Sequence, residues 1–224
     1  EINNILALGI KQELVVGFNY DITNVPLKEE YRINYARLFT LYLYLKFVRN
    51  GYRVAFTQYE LSMEDSLIKH EKYSHNELGI RNNDYYIMSF VNALGSELLE
   101  IENGMFVTRD DKDLIILLYD NYKDYYKYTN ENLSIDYNKE VNYKIDISNL
   151  DGIYKIIEYN IDCYDKSLNL NSEYIISISD EEKLYLSGKT MPTLDMKFEK
   201  INDKYTYEIS RRILDIKLIK FQKI

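Results

Sequence analysis

The sequence predicts an α+β fold in two parts: βα units of a parallel sheet or barrel over residues 1–95, then an antiparallel β-sandwich over residues 96–224. Two observations carry this expectation. Up to Gly95, compact apolar runs alternate with stretches of helical periodicity. Beyond Gly95, short runs of alternating apolar and polar residues recur between turn-forming clusters. No low-complexity linker separates the two textures, and there is no internal repeat.

Glu1–Gly9 reads as the last turns of a helix stopped by a glycine, so the chain is expected to begin inside a larger protein. Leu14–Phe18 is a buried strand by its apolar content. Glu29–Arg49 is a helix, because Tyr31, Tyr35, Leu38, Leu41, Tyr42, Leu45 and Val48 recur at spacings of three and four. Asn50-Gly51 ends it, and Arg53–Gln58 is the next strand. A polar stretch leads to a second helix, Asn83–Leu94, which stops at Gly95. Strand, helix, strand, helix is the order of a parallel arrangement, although two such units cannot close a barrel.

In the second part the predicted strands are Leu98–Glu100, Met105–Arg109, Leu114–Tyr119, Asn142–Ile147, Tyr154–Ile161, Thr193–Glu199, Tyr205–Ile209 and Ile213–Phe221. Asp110-Asp111-Lys112-Asp113, Asp151-Gly152 and Asn202-Asp203-Lys204 read as hairpin turns between them. Ser172–Lys183 reads as a connecting excursion.

Charge excludes some functions. Residues 1–95 carry 10 basic and 11 acidic side chains, residues 96–182 carry 8 and 20, and residues 183–224 carry 10 and 5, for a net charge of −8. That distribution offers no clustered basic face for nucleic acid. The single Cys163 precludes an internal disulfide and is compatible with a reducing cytoplasm. No apolar run approaches the roughly 18 residues that cross a bilayer, so no membrane association is expected.

Val15-Val16-Gly17-Phe18-Asn19, Gly79–Tyr86 with Phe90 and Leu94-Gly95, Phe106–Arg109 and Ile115–Tyr122 together resemble the C-terminal half of glycoside hydrolase family 39, the β-xylosidase-type enzymes. Gly152-Ile153-Tyr154, Leu184–Pro192 and Ile213–Phe221 extend the resemblance to the chain's end. It implies that the first part is a partial (β/α) TIM-barrel remnant, and it is nearest to a subgroup fused to AraC-type transcription regulators. In that family the strand matching Val15–Asn19 ends in a Glu-Trp-Asn-like run whose glutamate is the nucleophile. Here Gly17 takes the glutamate's place, Phe18 the tryptophan's, and Asn19 remains. The resemblance also places the acid/base glutamate on an earlier strand that this chain does not include. Retaining glycosidases need both carboxyl groups, about 5–5.5 Å apart.

The resemblance therefore implies a non-catalytic effector or interaction region, sensing a saccharide, with DNA contacted only through a domain outside this chain. The alternative is a fragment of a divergent glycoside hydrolase in which Asp21 or Glu60 is recruited as nucleophile. A purely structural module is a third reading. Asn19, Tyr20, Gln58, Tyr59 and Glu60 fall near the mouth of the barrel remnant and supply the amides, phenols and carboxylate that sugar binding uses. No cofactor is expected. An open barrel edge would require missing chain, rearrangement or a homo-oligomeric partner to cover it.

Other clusters have plainer readings. His70 and His75, five residues apart and without a cysteine cluster, read as surface histidines rather than metal ligands. Tyr119, Tyr122, Tyr125, Tyr126 and Tyr128 read as packing between the two parts. Asp110–Asp113 and Asp180–Glu182 lack the ligand spacing of a calcium loop and read as solvated turns.

Overall fold

The computed structural model describes residues 15–18, 35, 38–39, 41–47, 53–56, 83–102, 104–111, 113–130, 136, 138–162, 179, 181 and 191–224. β1 (Val15–Phe18) and β2 (Arg53–Phe56) pair in parallel, with Val15 opposite Arg53 and Phe18 opposite Phe56. A parallel neighbour requires a crossover, and the chain between these strands is helical at 35, 38–39 and 41–47 (α1). The predicted apolar face of that helix is real, since Leu38, Leu41 and Leu45 are buried. α2 (Asn83–Asn92) buries Ile87, Phe90 and Val91 in the same cluster. A β-carbon at Gly95, just past α2, would fall 2.2 Å from the backbone oxygen of Arg109. Only glycine allows the helix to end against that strand.

Most of the described chain is one antiparallel sheet. Its strands are β3 (Glu97–Glu102), β4 (Met105–Asp110), β5 (Asp113–Leu118), β6 (Glu140–Ile161), β7 (Thr193–Arg212) and β8 (Ile216–Lys223), in the spatial order β3-β4-β5-β8-β6-β7. The Asp110–Asp113 turn joins β4 to β5 as predicted, with Asp111 at a φ of 50°. The Tyr-rich segment, which matches no predicted element, is a helix, α3 (Tyr122–Asn130), capped by Asn121 Oδ1 accepting from Lys123 N–H at 2.8 Å. Tyr122 lies edge-on to Phe39 and tilted on Tyr42, with centroids 5.0 and 4.8 Å apart. The tyrosines thus join α1 to α3.

β5 explains its own sequence. Ile115 and Leu117 face a core shared with α1, α2 and α3, while Leu114, Ile116 and Leu118 face a second core. A strand buried on both faces reads as a continuous apolar run rather than an alternating one.

The predicted two-sheet sandwich is corrected in one respect. Asn142–Ile147 and Tyr154–Ile161 are parts of a single strand, β6, and Thr193–Glu199 and Tyr205–Ile209 are parts of β7. Asp151-Gly152 and Asn202-Asp203-Lys204, expected to be hairpin turns, lie inside these strands. The register shifts between Ser148 and Leu150, and Asn149 and Asp203 have φ near 62° and 63°, with Gly152 at 126°. Bulges of this kind bend a strand and sharpen its twist. The bend is large: the Lys197 ammonium lies 4.9 Å from the centroid of the Tyr207 ring on the same strand. At about 3.3 Å per residue, a straight strand would separate them by roughly 30 Å. The doubled-back hairpin lays Tyr207 against Phe221 of β8, with centroids 5.3 Å apart. One sheet therefore supplies both walls of the second core.

The bulge also corrects the alternation. Tyr143, Ile145 and Ile147 before it, and Leu150, Tyr154 and Ile156 after it, all join the second core. The odd-numbered inward residues become even-numbered because one residue is added. Among the described residues, no helix is long and apolar enough to cross a membrane. Deleting Asn149 should turn one half of β6 inside out and abolish the cooperative urea transition followed by circular dichroism. Asn149→Gly should unfold at or above the parent's urea midpoint, because glycine accepts the positive φ freely.

Candidate functional site

β1 places Gly17 opposite Ala55 of β2, in the interior of the parallel pair. That position contributes backbone groups to the ladder and no functional side chain. The two strands end side by side at Phe18 and Phe56. The segments that carry Asn19, Tyr20 and Asp21, and Gln58, Tyr59 and Glu60, leave from these neighbouring ends, but those six residues lie outside the described residues. His70 and His75 do so as well. Among the described residues, no group of three or more His, Cys, Asp or Glu side chains could hold a metal ion.

The densest polar cluster in the described chain was not anticipated from sequence. Arg211, at the end of β7, has a side chain only 2% exposed and sits 2.6 Å from Asp120 Oδ1. Its Nε donates to the Tyr143 phenol oxygen at 3.0 Å, and its Nη1 donates to the carbonyl of Arg212 at 3.1 Å. Asp120 Oδ2 accepts from the backbone N–H of Leu214 at 2.6 Å. The pair thus ties the chain after β5 to the turn that launches β8. Burial opposes the charge on Arg211, but Asp120 and the Tyr143 oxygen outweigh it and hold the guanidinium pKa above its ordinary value.

Next to this pair, Arg212 contacts Asp162 and Asp215. Asn160 Nδ2 donates to Asp215 Oδ2 at 3.2 Å, and Asn83 Nδ2 donates to the Asp162 carbonyl at 3.1 Å, anchoring the start of α2. The Asp215 side chain is 4% exposed. Burial raises its pKa, and nearby Asp162 adds to this, against the opposing effects of the Asn160 amide and Arg212. Among the described residues, nothing donates a hydrogen bond to the buried Asp215 Oδ1 or Asn160 Oδ1. A sequence signal did exist: Arg211-Arg212 and Asp215 flank a tight turn between apolar strands, where charges must be paired to be buried.

These carboxylates are engaged by guanidinium groups, and Asp215 is packed away from solvent, so the cluster acts as a clamp on the fold. Tyr119 and Tyr207 do not supply an acid or base near neutrality either. Burial, assisted by Tyr42 and Tyr143, pushes Tyr119 up to about 12, and burial with the hydrogen bond to Glu158 raises Tyr207 further.

No family model matches the chain, and no curated protein matches it. Solved structures do. The fold is similar to part of two bacterial proteins. The GH39 enzyme of Xanthomonas axonopodis pv. citri aligns with a TM-score of 0.63 at 12% identity, over 94% of this chain and 44% of that one. A monomeric β-xylosidase of Caulobacter crescentus CB15 aligns with a TM-score of 0.60 at 14% identity, over 96% and 46%. An arabinofuranosidase aligns with a TM-score of 0.50 at 14% identity, over 99% and 45%. The chain spans less than half the length of each of these proteins. At such identities the likeness establishes a GH39-like fold, and function must be argued from residues.

Two stability predictions follow from the cluster. Asp120→Ala should strand the buried Arg211 charge and lower the unfolding free energy by on the order of 3 kcal/mol in urea titration. Asp215 holds its proton more tightly in the folded protein than in the unfolded chain. The resulting stability is complete below its ordinary pKa of 3.8 and is lost as pH rises through the higher folded value. Asp215→Asn should therefore flatten the dependence of melting temperature on pH above 3.8, and a parallel profile would refute this.

Proposed function

We propose that this chain is the non-catalytic, glycosidase-like effector region of an AraC-type transcription regulator, and that it binds a saccharide where its enzymatic relatives cleave one. In this reading β1 and β2 are the last strands of a partial (β/α) TIM barrel within residues 1–95, and residues 96–224 form the accompanying domain. Asn19, Tyr20, Gln58, Tyr59 and Glu60 line the retained pocket. DNA contact belongs to a domain outside this chain, and the working compartment is the cytoplasm.

Gly17 is the observation that supports this most directly. Within a GH39-like fold, it stands on a β-strand at the position the resemblance assigns to the nucleophile. Hydrogen as a side chain neither attacks an anomeric carbon nor balances an oxocarbenium charge. A scaffold that keeps sugar-facing amides and phenols while lacking that carboxylate is suited to recognition.

Isothermal titration of the chain with xylose and xylo-oligosaccharides is expected to give heat. At a hundredfold excess over the dissociation constant, the ligand should stabilise the fold by about 2.7 kcal/mol. No heat and no melting shift at millimolar sugar would remove the sensing role. The fold likeness to enzymes favours one other reading, a divergent glycoside hydrolase using Glu60 or Asp21. Turnover of nitrophenyl glycosides that Glu60→Gln abolishes would establish that reading instead.

A further inference from the structure

β7 ends the sheet: it pairs with β6 on one side, and among the described residues nothing pairs with it on the other. An unpaired edge is a template for another strand, and proteins usually blunt it. This edge carries apolar groups instead. Leu194, Met196 and Phe198 are 60%, 46% and 61% exposed. They stand opposite Tyr159, Ile157 and Lys155 of β6, on the sheet face covered by the helices. Tyr159 in turn meets Phe90 of α2, with centroids 6.1 Å apart. The exposed stripe therefore continues an apolar surface that is buried further in.

We propose that this edge pairs antiparallel with the same edge of a second copy of the chain, about a two-fold axis through Met196. The segment Leu194-Asp195-Met196-Lys197-Phe198 is self-complementary in that register. Met196 meets Met196, Leu194 meets Phe198 twice, and Asp195 meets Lys197 twice. Opposite charges and apolar side chains placed directly across a strand pair both stabilise it. Alternative registers lose these matches. Centring on Lys197 sets Asp195 against Glu199, and centring on Asp195 sets two carboxylates together. Centring on Phe198 leaves Met196 against Lys200. Slipping by one residue puts the two stripes on opposite faces.

The backbone fits as well. The N–H of Met196 donates to its neighbour Asp195 Oδ1 at 2.7 Å, as a donor facing away from β6 can. In the pair that N–H turns to the carbonyl of the partner copy, and the Asp195 carboxylate is released to Lys197 across the axis. The arrangement is isologous, so the interface closes at two copies.

Sedimentation of the full chain across a concentration series is expected to show a monomer–dimer equilibrium. Asp195→Lys opposes lysine to lysine at two positions and should weaken the dimer by roughly tenfold. Adding Lys197→Asp restores opposite charges and should recover the dimer. Met196→Lys puts two ammonium groups on the axis and should leave a monomer with native circular dichroism, since its side chain is exposed. A monomer at every concentration, a dimer indifferent to both Asp195→Lys and Met196→Lys, or a double variant no tighter than Asp195→Lys would each overturn the proposal.

Discussion

The extra residue at Asn149 is the constraint on which the second core depends. β6 and β7 are long enough to reach across the sheet and return, but length alone would send alternate side chains to opposite faces. The bulge shifts the inward residues of β6 from odd to even numbers, while β7 keeps an unbroken alternation through Ile201, Tyr205, Tyr207 and Ile209. Both halves of the hairpin then turn apolar groups toward Ile116, Leu118, Ile219 and Phe221. Where the hairpin closes over β8, Arg211 and Asp120 fasten it, and Tyr143 on β6 shares the same guanidinium.

Local chemistry was legible in the sequence wherever one residue type decides a structure. The helix ending near Gly95 and the β4–β5 hairpin follow from glycine placement and turn residues. The bend was not legible, because Asp151-Gly152 and Asn202-Asp203-Lys204 have the composition of hairpin turns. Whether such residues reverse a chain or merely kink it depends on what packs beneath them. α3 was hidden for a related reason. Its run of tyrosines suits strands as well as helices, and contact with α1 decides the matter. The charged clamp combines residues from distant parts of the chain, and nothing local announces that Asp120 and Arg211 meet.

For the candidate site, the sequence named the residues and the structure supplies only their base. Gly17 lies on a strand paired in parallel with β2, and the neighbouring strand ends at Phe18 and Phe56 mark where the two polar segments depart. The side chains that would meet a sugar belong to those segments. The contrast with the rest of the molecule is chemical. Elsewhere among the described residues, carboxylates such as Asp120 and Asp162 are held by guanidinium groups.

β8 follows every other strand of its sheet in the chain, yet it occupies the place between β5 and β6. Until it arrives, the nascent polypeptide holds two separate pieces, the β3–β5 meander and the β6–β7 hairpin, each with a raw inner border. Completion resembles the insertion of a keystone rather than the extension of a wall. Unpaired strand borders of this kind are what make incompletely folded chains prone to aggregate, and β8 closes both of them at once.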